Sequence, residues 1–492
     1  MEKRWYDVAV VGAGVSGCAT ARELSRYDAS VLVLEALDDV CCGTSKANSA
    51  IVHAGFDAAE GTLMARLNVE GNAMFPQLSR DLDFPFEQVG SLVVCLDEGA
   101  RPDLEALLDR GAANGVPGLR IVERDELRQM EPNVSDEAVC ALWAPTGGIC
   151  DPWGLCCALA ENAAANGVEF RFDARVAAIN RDEEGLWRLR LEGGGEVVTR
   201  TVVNAAGVHA DELHNMVSPR RMTIVARRGE YELLDTTAGA HVRHTVFALP
   251  TKMGKGVLVT PTTHGNLLVG PTADDIDDKD DTSTTPRGMR SVVEKSALTV
   301  KDVPFRETIT SFSGLRAHRP EHEFAIGEVP GAPGFIDCAG IESPGLTASP
   351  AIGVMVAGIV RDILGLEPKE GFVATRRGFV DLDKVSPDEW NALVEGDPSY
   401  GTIVCRCRRV SEGQVRDACR RVPGARSVDG VKRRVTATMG RCQGGFCSPR
   451  VMQIICEEVE GMDMLHVSKS GPGSEYVVGL AKRPVEGGEA RG

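Results

Sequence analysis

At 492 residues, 43% hydrophobic and 25% charged, the chain has the make-up of a folded enzyme of about three domains, without repeats or low-complexity tracts. A formal charge of −17 excludes broad affinity for nucleic-acid backbones. Fifteen cysteines, eleven of them widely scattered in so long a chain, exclude a disulfide scaffold and point to a reducing, cytoplasmic setting.

Lys3-Arg4 followed by an apolar stretch from Val8 has the outline of a secretion signal, but glycines at 12, 14 and 17 read it as a strand and turn. Residues 7–35 then read strand, glycine turn, helix (Cys18 to Arg26) and strand (Val31 to Glu35). Gly12 permits the tight turn, Gly14 lets the backbone approach a pyrophosphate at the helix N-terminus, and Gly17 lets helix and strand pack closely. Glu35, 18 residues beyond Gly17, is placed to accept hydrogen bonds from a ribose diol and to repel a 2′-phosphate.

Two further strand-glycine units follow, Val202-Val-Asn-Ala-Ala-Gly207 and Gly334-Phe-Ile-Asp-Cys-Ala-Gly340, the second leading into a small-residue helix from about Ser349 to Gly365. Three such units predict one dinucleotide-binding domain of α/β class assembled from distant segments. Residues 221–272 alternate apolar and polar and read as antiparallel strands of a second, substrate-binding domain. Asp274 to Asp281 holds six aspartates in eight residues without the glycine of a calcium loop, and reads as a solvated loop. The apolar run Ala351 to Val360 is too short to cross a bilayer, which predicts no direct membrane span.

Residues 401–456 carry 12 Lys/Arg against 3 Asp/Glu, a net of +9, leaving −26 on the remainder. This basic module contains Cys405-x-Cys407 and Cys442-x4-Cys447. Four thiolates at these spacings can hold zinc, an iron–sulfur centre or a redox dithiol. Arg406, Arg408, Arg409 and Arg441 adjoin the cysteines and would favour the reduced state of an anionic cluster, and Gly444 and Gly445 could turn backbone N–H groups toward sulfur. Cys419 and Cys456 read as core residues, and the near absence of aromatics beyond Phe446 argues against nucleic-acid binding.

A glycine loop at residue 12 with partner strands so far downstream resembles the large FAD-dependent oxidoreductases of the D-amino-acid oxidase-like superfamily. Gly43-Thr-Ser-Lys-Ala-Asn-Ser-Ala-Ile-Val-His-Ala-Gly55 resembles the flavin-proximal segment of anaerobic-type glycerol-3-phosphate dehydrogenases and L-2-hydroxyglutarate oxidases. Ser313-Gly-Leu-Arg316 and Cys338-Ala-Gly-Ile-Glu-Ser-Pro-Gly-Leu-Thr-Ala-Ser349 extend the match. The cysteine module resembles the bacterioferritin-associated-ferredoxin-like [2Fe-2S] domain, also found at the C-terminus of anaerobic glycerol-3-phosphate dehydrogenase large subunits.

The resemblance implies a discontinuous Rossmann-like FAD domain with an antiparallel substrate domain over 1–372, the FAD parts at about 1–80, 146–210 and 315–372 and the substrate parts at about 80–145 and 210–315. Pro368, Pro387 and Pro398 read as a linker, placed at 373–400, before a small helical [2Fe-2S] domain at 401–456 that the resemblance implies and a tail at 457–492. FAD contacts are expected from Gly12, Gly14, Ser16, Gly17, Glu35, Thr44, Ser45, Asn48, Ala206, Gly207, Gly340, Gly345, Leu346 and Thr347. Cluster ligation is expected from Cys405, Cys407, Cys442 and Cys447. His53 is the candidate base, flavin contact or covalent flavin ligand, or a structural loop residue. Arg316 is the candidate anion clamp, or a domain-interface salt bridge. Lys46, Tyr231 and Lys255 are weaker candidates near the flavin or substrate.

The expected reaction is oxidation of a small anionic hydroxy substrate, glycerol 3-phosphate above all, with electrons passing from FAD through the cluster to a flavoprotein or quinone-linked partner that could also bring the chain to a membrane. A 2-hydroxy acid, an amino or imino acid, or a non-catalytic electron-transfer role are the alternatives. Relatives commonly have Arg-Pro after the Gly-Leu pair. Here Arg316-Ala-His318-Arg319-Pro320 stands instead, which leaves the phosphate contacts open.

Overall fold

In the computed structural model, which describes residues 5–249, 256–479 and 481, the chain divides into two compact units, Met1–Gly378 and Phe379–Gly492. At the heart of the first lies β1 (Trp5–Val11), buried from Val8 onward except for contact at its edges, as a parallel strand covered on both faces must be. It pairs in parallel with β2 (Val31–Leu34) on one side and with Glu196–Asn204 on the other. The latter pairs in parallel with Phe335–Ala339 through Val202↔Phe335. The three strand-glycine units therefore lie side by side in one eight-stranded sheet. A buried network locks them: Asn204 Nδ2 donates to Asp337 at 2.9 Å, and His214 Nδ1 sits 2.6 Å from the other Asp337 oxygen. Burial pushes the Asp337 carboxyl above the usual carboxylate range, against the pull of Asn204 and His214.

The helix after the glycine turn is α1 (Val15–Leu24), which packs against the helices Pro152–Ala165 and Gly345–Leu364. Small residues allow the approach: a Cβ on Gly353 would stand 2.8 Å from the Ala19 backbone, and one on Gly71 of the Leu63–Leu82 helix 2.1 Å from the Thr347 carbonyl. Gly345–Leu364 starts four residues before the helix expected from sequence. At 20 residues it is long and apolar enough to cross a membrane by length and composition alone. Here it packs as a core helix of this unit, its inner face (Thr347, Ala348, Ile352, Val356 and Val360) fully buried.

A second sheet of nine strands is organised around the long antiparallel pair Val225–Leu234 and Thr308–His318. The alternation over 221–272 resolves into antiparallel strands, except that Thr245–Ala248 runs parallel to Ser91–Cys95. The aspartate-rich stretch is not simply solvated. Asp274–Ile276 is a strand paired with Val225–Leu234, Asp275 forks onto Arg227 at 2.6 and 3.0 Å, and Asp281 meets Arg228 at 2.9 Å. Cationic partners on the neighbouring strand, not visible as a local pattern, hold the acids in place.

The second unit is helical: Pro387–Gly396, Glu412–Arg420, Val428–Val435 and Ser448–Glu458 with a hairpin of Ile403–Cys405 and Val410–Ser411. Capping boxes Ser386/Glu389 and Ser411/Gln414 start two of these helices. The expected linker 373–400 is not a free tether. Val373, Arg376 and Gly378 are bonded to Asn166, Glu161 and Asp83 of the first unit, whereas Phe379 lies under Arg421 and the Val380 carbonyl accepts from Gln414 in the second. The expected tail from 457 is also ordered in its first part: Val467 is fully buried, and the Ser468 and Lys469 carbonyls cap the Val428 helix.

Asp7 offers a check on the first sheet. Its carboxylate accepts from the Ser30 N–H at 3.0 Å, the Ser30 hydroxyl at 2.8 Å and Arg200 at 3.0 Å. Burial pushes its pKa up, but these donors pull harder and the net shift is downward. A depressed carboxyl adds stability above its unfolded value of about 3.9 and loses it as pH falls through the lower folded value. Asp7→Asn should therefore cost about 1–2 kcal/mol in thermal unfolding at pH 7, with the gap from the parent closing below about pH 4. A gap independent of pH would refute the ionic account.

Candidate functional site

The glycine loop is shaped by contact with the residue that follows the strand Glu196–Asn204. Gly12 has φ +105°, and a Cβ there would stand 2.3 Å from the Ala205 carbonyl oxygen. A Cβ on Gly17 would stand 1.9 Å from the Gly12 oxygen. Gly17→Ala is thus expected to displace the loop and lower the flavin-to-protein absorbance ratio of the purified protein severalfold; full flavin content would contradict this reading of the loop.

At the start of α1 the Val15 N–H donates to Ser45 Oγ at 2.9 Å, and the Ser16 and Gly17 N–H groups have no partner among the described residues. No acidic side chain occupies the first turn. Open donors at the positive end of a helix, reached through glycines, fit a pyrophosphate. Glu35 accepts from the Ala13 N–H at 2.7 Å and the Leu37 N–H at 3.0 Å, so it braces the loop while staying half-buried beside it. Burial pushes its carboxyl up, against these amides. Ala206 and Gly207 follow directly on the strand that touches Gly12, and a Cβ on Gly207 would meet nothing within 4 Å. These residues fit FAD's adenosine and pyrophosphate portions.

The segment 43–55 is stitched to two other elements. Thr44 Oγ1 donates to the Leu315 carbonyl, and Gly314 is required because a Cβ there would stand 1.8 Å from the Ala47 oxygen. Asn48 closes the turn, donating to the Ser45 carbonyl at 2.8 Å and accepting from Ala50 N–H. Farther on, Thr347 Oγ1 accepts from the His53 N–H at 2.8 Å, tying the segment to the N-terminus of the Gly345–Leu364 helix, where Gly345, Leu346 and Thr347 form the first turn. Gly340, at φ +64°, turns the chain out of its strand against Arg319. The structure thus brings together all the segments expected to hold a flavin.

His53 is held from both sides of its peptide: Asn68 and Asn72 donate to its carbonyl at 3.2 and 3.0 Å. Its ring lies 5.8 Å from that of Phe247, and the residue lines a cleft of ≈ 790 Å³ shared with Thr62, Asp109, Arg110, His322, Ser343 and Pro344. Sequence reading missed most of this wall, since 57–62 and 109–113 carry no motif; only the unusual Arg316-to-Pro320 run signalled the corner near His322. Arg316 does not line this cleft. Its guanidinium, half-buried, donates only to the Thr272 carbonyl at 3.3–3.4 Å and has no carboxylate partner among the described residues, which removes the salt-bridge alternative there. Tyr231 is buried, stacked on Phe312 at 4.9 Å, with its hydroxyl 3.2 Å from Ser49 Oγ. Lys46 is half-buried beside the flavin segment, and Lys255 lies outside the described residues.

In the second unit all four cysteines converge unbridged. Cys405 and Cys407 sulfurs are 3.9 Å apart, as are Cys407 and Cys442, and Cys405 also meets Cys447. Tetrahedral ligands at about 2.3 Å from a metal stand about 3.8 Å apart, so the spacing fits a thiolate-held metal. Burial and its neighbouring thiols push the Cys407 thiol up to about 11, a crowding that a bound cation would relieve. Backbone N–H groups of Arg408, Thr438 and Cys442 reach the sulfurs. The glycines contribute differently from expectation: the Gly445 N–H goes to the Cys442 carbonyl.

The basic charge is also less free than its count suggests. Arg409 pairs with Asp383, and Arg416, Arg420 and Arg450 pair with Glu412, Glu457 and Glu458, two of which fall just past residue 456. Arg406 stacks over the exposed Phe446 at 4.7 Å beside the exposed Cys407 and Cys442.

Residues 7–359 match the family described as FAD dependent oxidoreductase, and residues 403–457 the BFD-like [2Fe-2S] binding domain. A glycerol 3-phosphate dehydrogenase of Caloramator mitchellensis is 47% identical over 482 residues, covering 98% of this chain and 100% of its own. A glycerol 3-phosphate oxidase of Mycoplasma pneumoniae is 33% identical over 359 residues, 72% of this chain and 93% of its own. The solved structure of dithionite-reduced L-alpha-glycerophosphate oxidase from Mycoplasma pneumoniae with FAD bound superposes with a TM-score of 0.73 at 30% identity, covering 77% of this chain and 100% of that one. With a fitting dinucleotide cradle and a four-thiol centre already in its structure, this chain belongs to the FAD-dependent oxidoreductase family and carries a BFD-like [2Fe-2S] domain at its C-terminal end.

Proposed function

We propose that the chain dehydrogenates glycerol 3-phosphate to dihydroxyacetone phosphate and delivers the electrons to a redox partner protein. The similarity to the dehydrogenase of Caloramator mitchellensis, which extends over both units, carries the reading. When bound, FAD would supply the acceptor for a hydride from the carbinol carbon, and a [2Fe-2S] centre would supply a one-electron outlet. An imidazole nitrogen of His53, its backbone fixed by Thr347, Asn68 and Asn72, takes the hydroxyl proton. Arg316, whose guanidinium has only a carbonyl partner among the described residues, would clamp the substrate anion from beyond the cleft lining that His53 belongs to. Thr44, Ser45 and Asn48 hold the segment that presents His53, and the first turn of the helix beginning at Gly345, tied to His53 through Thr347, would offer its positive end to a bound flavin.

The oxidase relative aligns over a length matching the first unit, so the added thiol-rich unit supports exit to a protein, a flavoprotein or quinone-linked subunit, over exit to oxygen. Fifteen unbridged cysteines support a cytoplasmic location, with any membrane association through that partner. Anaerobic mixing of the holoenzyme with glycerol 3-phosphate should bleach the flavin within the dead time of a turnover, whereas L-2-hydroxyglutarate should not. Bleaching by the hydroxy acid alone would overturn the substrate assignment, and bleaching by neither would overturn the catalytic one.

A further inference from the structure

We propose that His318, His322 and Glu342 form a binding site for one divalent transition-metal ion of the zinc class. One ligand atom from each residue lies within 4.8 Å of the others. His318 Nδ1 is 3.0 Å and His322 Nδ1 2.8 Å from the same Glu342 oxygen, so both rings turn their nearer nitrogen to one carboxylate. Nitrogen and oxygen donors at about 2.0–2.1 Å from a tetrahedral zinc stand about 3.3 Å apart, so the two nitrogen–oxygen pairs need open by only a few tenths of an ångström, and the two imidazole nitrogens, within 4.8 Å of each other, draw to the same separation, for an ion to replace the bridging protons.

Two imidazoles with one carboxylate are a donor set that zinc accepts, leaving a fourth position open. Glu342 is buried, with its side chain 5% exposed, His318 is 14% exposed and His322 67% exposed, so the open position is on the His322 side. That side is the wall of the cleft that also holds His53. His322 adopts φ +51°, an unusual backbone for a residue with a side chain, and it is in this conformation that the ring meets Glu342. Among the described residues two cations neighbour the cluster and neither stands against an ion unopposed: Arg227, which acts on Glu342, is held by Asp275 through two hydrogen bonds, and Arg319, next to His318 in the chain, pairs with Glu321 at 3.2 Å. Metal here would pin the turn 318–322 to the segment 338–345.

The test uses the holoenzyme with its cluster intact, dialysed against micromolar zinc chloride beside His322→Ala and Glu342→Gln. Parent protein should retain one zinc per chain more than either variant, with a zinc K-edge spectrum of nitrogen and oxygen neighbours. Affinity in the variants should fall by more than the about 10–100-fold that loss of an outer-shell partner costs. Zinc should also raise the melting temperature of the parent and not of the variants, a readout that holds even if one variant is less stable at the outset. Equal zinc in all three proteins, a shell of sulfur neighbours, or no zinc retained would each overturn the site and leave two histidines sharing a carboxylate through protons.

Discussion

Replacement of His53 by alanine is expected to slow anaerobic reduction of the bound flavin by about 10²–10⁴-fold, the span over which a positioned base accelerates proton transfer. That corresponds to about 3–5 kcal/mol of transition-state stabilisation. The prediction rests on placement. The His53 N–H donates to Thr347 and its carbonyl accepts from Asn68 and Asn72, which fixes its backbone, and His53 lines the cleft. The readout separates the alternatives: loss of a base lowers the limiting reduction rate and removes its rise with pH, whereas loss of a covalent flavin link leaves free flavin after acid precipitation. A rate within threefold of the parent would sink the assignment. Arg316→Lys should behave differently, raising the substrate concentration for half-saturation more than it lowers the limiting rate, because lysine keeps the charge but not the fork.

Cys407→Ala is expected to abolish the [2Fe-2S] electron paramagnetic signal of the reduced protein and, with it, reduction of one-electron acceptors, while glycerol 3-phosphate still bleaches the flavin. Cys407 stands 3.9 Å from both Cys405 and Cys442 and is exposed, so its loss removes a ligand without opening a core cavity. Cys419→Ala is the matched control. That thiol sits half-buried on the Glu412–Arg420 helix, its ionisation pushed up to about 12 by burial, and its loss should leave the signal intact. A signal surviving in Cys407→Ala, or lost equally in Cys419→Ala, would show that the cluster is held otherwise than by the four converging thiols.

Much of the candidate site is legible in the sequence, for a reason that differs between its parts. Gly12, Gly14, Gly17 and Glu35 are local: strand, turn and helix follow one another in thirty residues, and each glycine answers a contact with a near neighbour or a ligand. The cysteines are legible because thiolates in paired spacings have few other uses. The structure within the linker and tail is not legible in the sequence, because prolines mark loops and helix starts alike. Pro387 and Pro398 open helical turns, and Phe379 and Val467 are apolar residues whose burial depends on partners far along the chain. The aspartate run was misread for the same reason, its partners Arg227 and Arg228 lying on a neighbouring strand.

By itself the sequence determined the chemistry available: a dinucleotide cradle, four metal-binding thiols, a histidine and an arginine in segments that resemble flavin neighbours. Tertiary structure alone decided which of these residues share a space. His53 lines a cleft with Thr62, Asp109 and Ser343, Arg316 is not part of that lining and rests on the Thr272 carbonyl, and His318, His322 and Glu342 meet at one point. The physical reason is that short-range backbone geometry is written in neighbouring residues, whereas a cleft wall is made by strand register and helix packing between segments hundreds of residues apart, which no local pattern encodes.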